Sequence, residues 1–76
     1  MKEMLELIAQ ALVDQPEQVS VKEIGGSHTS IFELKVAKAD IGKIIGKQGR
    51  TVGALRTILG AVSAKSKKRT VLEVTE

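Results

Sequence analysis

An α/β (α+β) domain, in which helices cover one face of a three-stranded mixed sheet, is what this sequence predicts. Three observations predict it. Apolar residues recur at helical spacing near the N-terminus, and the stretch from Thr29 to Val36 alternates with period two. From Asp40 to Ser66 the helical spacing returns on both sides of a glycine-rich interruption, Gly46-Lys47-Gln48-Gly49. Thr70 to Val74 closes the chain as a third strand. Two helices between the second and third strands give the length needed for a right-handed crossover, which sets those strands parallel. At 76 residues the chain is one small domain, burying roughly 60 to 65% of its unfolded surface.

Met1 to Val13 reads as an amphipathic helix. Leu5, Ile8 and Leu12 form its apolar stripe, Met4, Ala9 and Ala11 widen it, and Glu3 and Glu6 favour its positive end. Pro16 ends it, because the residue before a proline is biased away from helical backbone. Val19 to Ile24 and Thr29 to Val36 are strands joined by Gly25-Gly26-Ser27-His28. Phe32, Leu34 and Val36 point inward, whereas Ile24 and Ile31 fall off that alternation. His28 is the only histidine and has no second ligand at metal-binding spacing, so it reads as a solvated turn residue.

Asp40 opens the next helix as an N-cap or first-turn acid, and Ile41, Ile44 and Ile45 make its stripe up to Gly46. The following helix runs from about Arg50 to Ser66. Val52, Leu55, Leu59 and Val62 are its core stripe, and Ala54, Ile58 and Ala61 form an adjoining one, wider than a single sheet contact requires. Gly53 and Gly60 are seven residues apart and so lie on nearly the same face.

Charge is divided along the chain. Residues 1–34 hold two Lys against six acids, residues 35–69 hold ten Lys or Arg against Asp40 alone, and the last seven residues hold two acids. A basic half surrounding a glycine-rich turn is the footprint of a phosphate-backbone binder. There is no Cys, hence no disulfide and no thiolate metal site. The N-terminus has neither a signal peptide nor a membrane-spanning run. These features predict a cytoplasmic protein with no membrane insertion.

The spacing also excludes other phosphate-binding motifs. Gly42 precedes Gly46 by one residue too few for a Walker A loop, and Gln48 stands where the Mg²⁺-binding hydroxyl would be. The tight first glycine pair of a dinucleotide fingerprint is missing. Ser27 beside His28 has no third partner, so no catalytic residue is assigned, and no cofactor is expected. Phe32 is the only aromatic and faces inward, so the chain does not resemble an aromatic stacking platform.

Gly-x-x-Gly alone suits any helix-turn-helix corner, but its context here is more specific. Ile45 and Gly46, Gly49 and then Val52 resemble the Ile-Gly-x-x-Gly-x-x-Ile signature of the KH domain. Nearly the whole chain is similar to the small bacterial KhpA-like family, with Val52 for the usual Ile and an unusual Gly53 directly after it. The resemblance implies a type II KH domain over residues 1–76, with its core motif at about 30–74.

It further implies that the loop clamps single-stranded RNA while bases lie over an apolar groove between the loop helices and one sheet edge. On that reading Gly46 and Gly49 allow close approach, and Lys47 and Arg50 contact phosphate. Gln48 reaches phosphate or a base edge, Lys43 and Arg56 widen the positive rim, and Ile44 or Ile45 supplies groove floor. The KhpA-like family also implies self-association, a larger KH-containing partner, and a small RNA chaperone or post-transcriptional regulator linked to cell shape and cell wall biogenesis. The surplus stripe and the two glycines place the expected homodimer, or equivalent heterodimer, on Gly53, Ala54, Thr57, Ile58, Gly60 and Ala61. A protein-interaction adaptor with little RNA binding is the alternative, and residue chemistry does not separate RNA from single-stranded DNA.

Overall fold

A computed structural model describes all residues from Met1 to Glu76. Its elements follow the expected order: α1 (Lys2–Leu12), β1 (Ser20–Gly25), β2 (Thr29–Lys35), α2 (Ile41–Ile45), α3 (Arg50–Ser66) and β3 (Arg69–Thr75). Short 3₁₀ turns at Pro16–Gln18, Lys38–Asp40 and Lys47–Gly49 connect them. The sheet order is β1-β2-β3, with β1 antiparallel and β3 parallel to β2. Helices lie on one face: α1 packs on β1 and β2, α3 packs on β3, and α2 sits between the two helices. This is the architecture that the resemblance to a type II KH domain implies.

Alternation along β2 drives Ser30, Phe32 and Leu34 into the helical layer, where they meet Leu5, Ala9, Ile44, Val52, Leu55, Leu59 and Leu72. The opposite face of the sheet is uncovered, and there Ile24, Ile31 and Val71 stand side by side across the three strands. This explains why Ile24 and Ile31 break the inward pattern. They belong to the other face, in one lateral row of β-branched side chains.

Three expectations require correction. On α1 Leu5 and Ala9 are buried and Ile8 packs against the core, but Leu12 remains 39% exposed, because the buried line continues to Val13 just past the helix end. In α3 the core stripe stops at Leu59, and Val62 joins the outer stripe at 36% exposure. Asp40 stands at the N-cap position of α2 as expected, but its side chain makes no capping bond. It is buried, and its carboxylate accepts the backbone N–H groups of Asp14 at 3.3 Å and Gln15 at 3.0 Å, tying the segment after α1 to the start of α2.

Candidate nucleic-acid interface

The turn between α2 and α3 is built from unusual backbone. Gly46 has φ 75°, Gln48 has φ 57° and Gly49 has φ 74°, so three of its four residues occupy the positive-φ region that L side chains rarely adopt. The N–H of Gly46 donates to Gly42 at 2.9 Å, and the N–H of Gly49 donates back to Gly46 at 3.1 Å. These bonds close the chain into a knuckle whose middle residues, Lys47 and Gln48, are exposed.

The two glycines serve different ends. A Cβ on Gly46 would collide with Thr51, whereas one on Gly49 would meet nothing within 4 Å. Close approach from outside is therefore open at Gly49, while Gly46 is required by the packing of the knuckle against α3. Helix α3 begins at Arg50, with Gly49 as its N-cap residue, no side-chain cap and no acid in its first turn. The N–H groups of Gly49 and Arg50 are bonded back to Gly46 and Lys47, so the positive end of the α3 dipole acts there together with the cations of Lys47 and Arg50, an arrangement that favours an anion.

The remaining expected residues divide among three places. Ile44 is fully buried and belongs to the core, while Ile45 is 40% exposed, so it is Ile44 that faces the core. Lys43 does not stand free. Its Nζ lies 2.8 Å from Asp14 and 3.6 Å from Asp40, and the bond to Asp14 together with its charge raises the Lys43 pKa above the ordinary lysine value. Arg56 leaves the loop altogether and donates from Nη2 to the carbonyl of Leu72 at 3.3 Å.

That contact spans a groove between α3 and β3, lined by Arg56, Leu59, Arg69, Thr70, Val71 and Leu72, with a volume of about 270 Å³. Because the Arg69 N–H pairs with His28 and the Thr75 carbonyl with Val36, the odd residues of β3 face β2. The even residues, Thr70, Leu72 and Val74, turn their N–H and C=O groups toward the free edge. Leu59, Thr70 and Leu72 were not singled out as groove residues from sequence. Nothing local could have indicated them, since the groove exists only where α3 lies over this strand.

On α3, Gly53, Ala54, Thr57, Ile58, Gly60 and Ala61 are all exposed. Neither Gly53 nor Gly60 has an atom within 4 Å of its would-be Cβ, and the Thr57 hydroxyl turns back to the Gly53 carbonyl at 3.0 Å. They lie on the uncovered outer side of the helix, with Val62 beside Ile58 at its margin, about 180° around the axis from Gly53. No helix of the chain is long and apolar enough to cross a membrane.

Comparison with known proteins follows the same lines. Residues 2–74 match the family model described as KhpA/KhpB, KH domain. The chain is 55% identical over 76 residues to the RNA-binding protein KhpA of Chlamydia pneumoniae, covering 100% of this chain and 97% of that protein. It is 51% identical over 74 residues to the RNA-binding protein KhpA of Clostridium acetobutylicum, covering 97% and 99% respectively, and 51% identical over 76 residues to that of Aquifex aeolicus, covering 100% and 96%. No solved structure matches the chain.

Proposed function

The chain belongs to the KhpA/KhpB family of KH domains, and on that footing we propose that it binds single-stranded RNA, without catalysis, through the Lys47-Gln48 knuckle and the groove beside β3. One observation carries this reading: the exposed cationic knuckle sits on the uncapped positive end of α3. Lys47 and Arg50 meet phosphate there, the open face of Gly49 lets the nucleic-acid backbone come close, and Gln48 supplies a hydrogen bond to phosphate or base. Ile45 gives apolar surface beside them, while Gly46 shapes the turn. Lys43 adds least, because its charge is already balanced by Asp14 and Asp40. RNA is preferred over DNA because the relatives are named as RNA-binding proteins.

Backbone contacts position a strand but do not specify its sequence, so one domain of this size binds weakly unless a second site is joined to it. We therefore assign the exposed stripe of α3 to pairing, either with a second copy or with a larger KH-containing protein. The cellular role attached to this reading is that of a cytoplasmic RNA chaperone or post-transcriptional regulator linked to cell shape and envelope synthesis, and it rests on family resemblance alone. The second reading, an adaptor for protein partners with little RNA binding, is favoured by the same apolar stripe at Ile58 and Val62.

The double substitution Lys47→Asp with Gln48→Asp separates the two. It replaces attraction by repulsion at exposed positions, so RNA affinity should fall at least about tenfold, the scale of one lost charged hydrogen bond, while circular dichroism stays unchanged. Native affinity should also decline steeply with salt. Equal affinity of both proteins for RNA would move the site elsewhere and leave the adaptor reading.

A further inference from the structure

A free strand edge offers a base one donor beside one acceptor, the N–H and C=O of a single residue. That pair complements adenine, which carries its N6 donor next to an N1 or N7 acceptor. At the groove of this protein one lone pair of that acceptor is already engaged. Leu72 points both groups away from β2, and its carbonyl receives Nη2 of Arg56 at 3.3 Å. A guanidinium has five N–H donors and no acceptor, so this bond leaves four donors and holds their plane at the groove rim. Preorganisation of that kind lowers the cost of a second, bidentate contact. No carboxylate lines the groove, and its volume of about 270 Å³ suits a single base.

Resting on the RNA-binding reading, we propose that Arg56 determines specificity: the groove takes a base with two adjacent acceptors and discriminates against adenine and uracil. Guanine presents such a pair at N7 and O6, and cytosine presents one at N3 and O2. Adenine sets its N6 donor beside both N1 and N7, and uracil separates its two carbonyls by an N–H. The Arg56 fork meets the acceptor pair while the Leu72 N–H stays at the strand edge beside it.

The test uses oligouridine heptamers carrying G, C, A or U at the central position, titrated against the full chain by fluorescence anisotropy at fixed salt. The G or C heptamer, or both, should bind about 5- to 100-fold more tightly than the A and U ones, the range of a good bidentate pair. A 7-deazaguanine heptamer lacks N7 and should lose any advantage that the G heptamer shows; an advantage kept in full would overturn the assignment for guanine. Arg56→Lys keeps the charge and removes the fork, so the preference should collapse while binding to oligouridine persists. Arg56→Ala frees the Leu72 carbonyl, and adenine should then gain relative to guanine and cytosine. Equal binding of all four heptamers, or strongest binding of adenine by the native chain, would overturn the assignment while leaving RNA binding intact. Binding to none of them, with the Lys47→Asp/Gln48→Asp protein indistinguishable from native, would remove the RNA-binding reading and this inference with it.

Discussion

Gly46 and Thr51 are packed so closely that a Cβ on the glycine would lie 2.7 Å from the Cβ of Thr51 and 2.8 Å from its backbone nitrogen. The contact fixes the angle at which the knuckle meets α3, and it makes the two glycines of the turn unequal. Gly46→Ala meets both positive-φ strain and overlap with backbone, whereas Gly49→Ala meets strain alone. The first should destabilise by about 2–4 kcal/mol and the second by about 1–2 kcal/mol. Urea denaturation of the two variants checks the order, and equal losses would contradict the packing argument.

Asp40 joins segments 25 and 26 residues apart through its bonds to Gln15 and Asp14. Asp40→Ala removes a buried carboxylate and leaves two backbone N–H groups without it. A loss of about 2–3 kcal/mol is expected, from the usual range for hydrogen bonds to a charged group, with Asp40→Asn losing less because it keeps one acceptor oxygen. A change below 0.5 kcal/mol in chemical denaturation, on the order of a surface substitution, would show that the tie is unimportant.

The raised pKa of Lys43 has a definite pH signature. Its folded value lies above its unfolded one, with the Asp14 hydrogen bond as the first cause, so its contribution is fully present below the unfolded lysine value of about 10.4 and is lost as pH rises through the folded value. The stability difference between native protein and Lys43→Gln should therefore be flat from neutral pH to about pH 9 and shrink only in strong alkali. Both side chains of the outer pair are substantially exposed, so the same difference should also decrease with salt. A difference that vanished between pH 7 and 8 would contradict the lysine assignment.

Gly53 is exposed, with open space where a side chain would stand. Gly53→Arg should therefore fold, gain up to about 1 kcal/mol of helix propensity, and interrupt any pairing across the outer stripe of α3. Sedimentation of native and variant protein checks this: the native chain should be dimeric and the variant monomeric. An unchanged dimer would place the interface off this stripe, and a native monomer at all usable concentrations would remove self-association.

Much of this protein is decided by local pattern. Period-two alternation at Phe32, Leu34 and Val36 fixes the inward face of β2, because successive side chains on a strand point to opposite sides. The return to helical spacing on either side of Gly46-Lys47-Gln48-Gly49 marks α2 and α3, and the glycines mark backbone that other residues resist. What local pattern leaves open is which part of an apolar face receives cover. Ile44 and Ile45 differ by about 100° around a short helix, and only the packing of α2 between α1 and α3 makes the first core and the second surface. Leu12 and Val62 continue their stripes in sequence but run past the elements that would bury them. Asp40 and Arg56 look like a helix cap and a loop cation because their partners, Gln15 and Leu72, are brought near by chain reversal. Sequence determined the elements and the charge of the turn, through interactions between neighbours a few residues apart; tertiary structure decided the groove, the buried carboxylate and the guarded strand edge, because each needs groups that meet only after the sheet has formed.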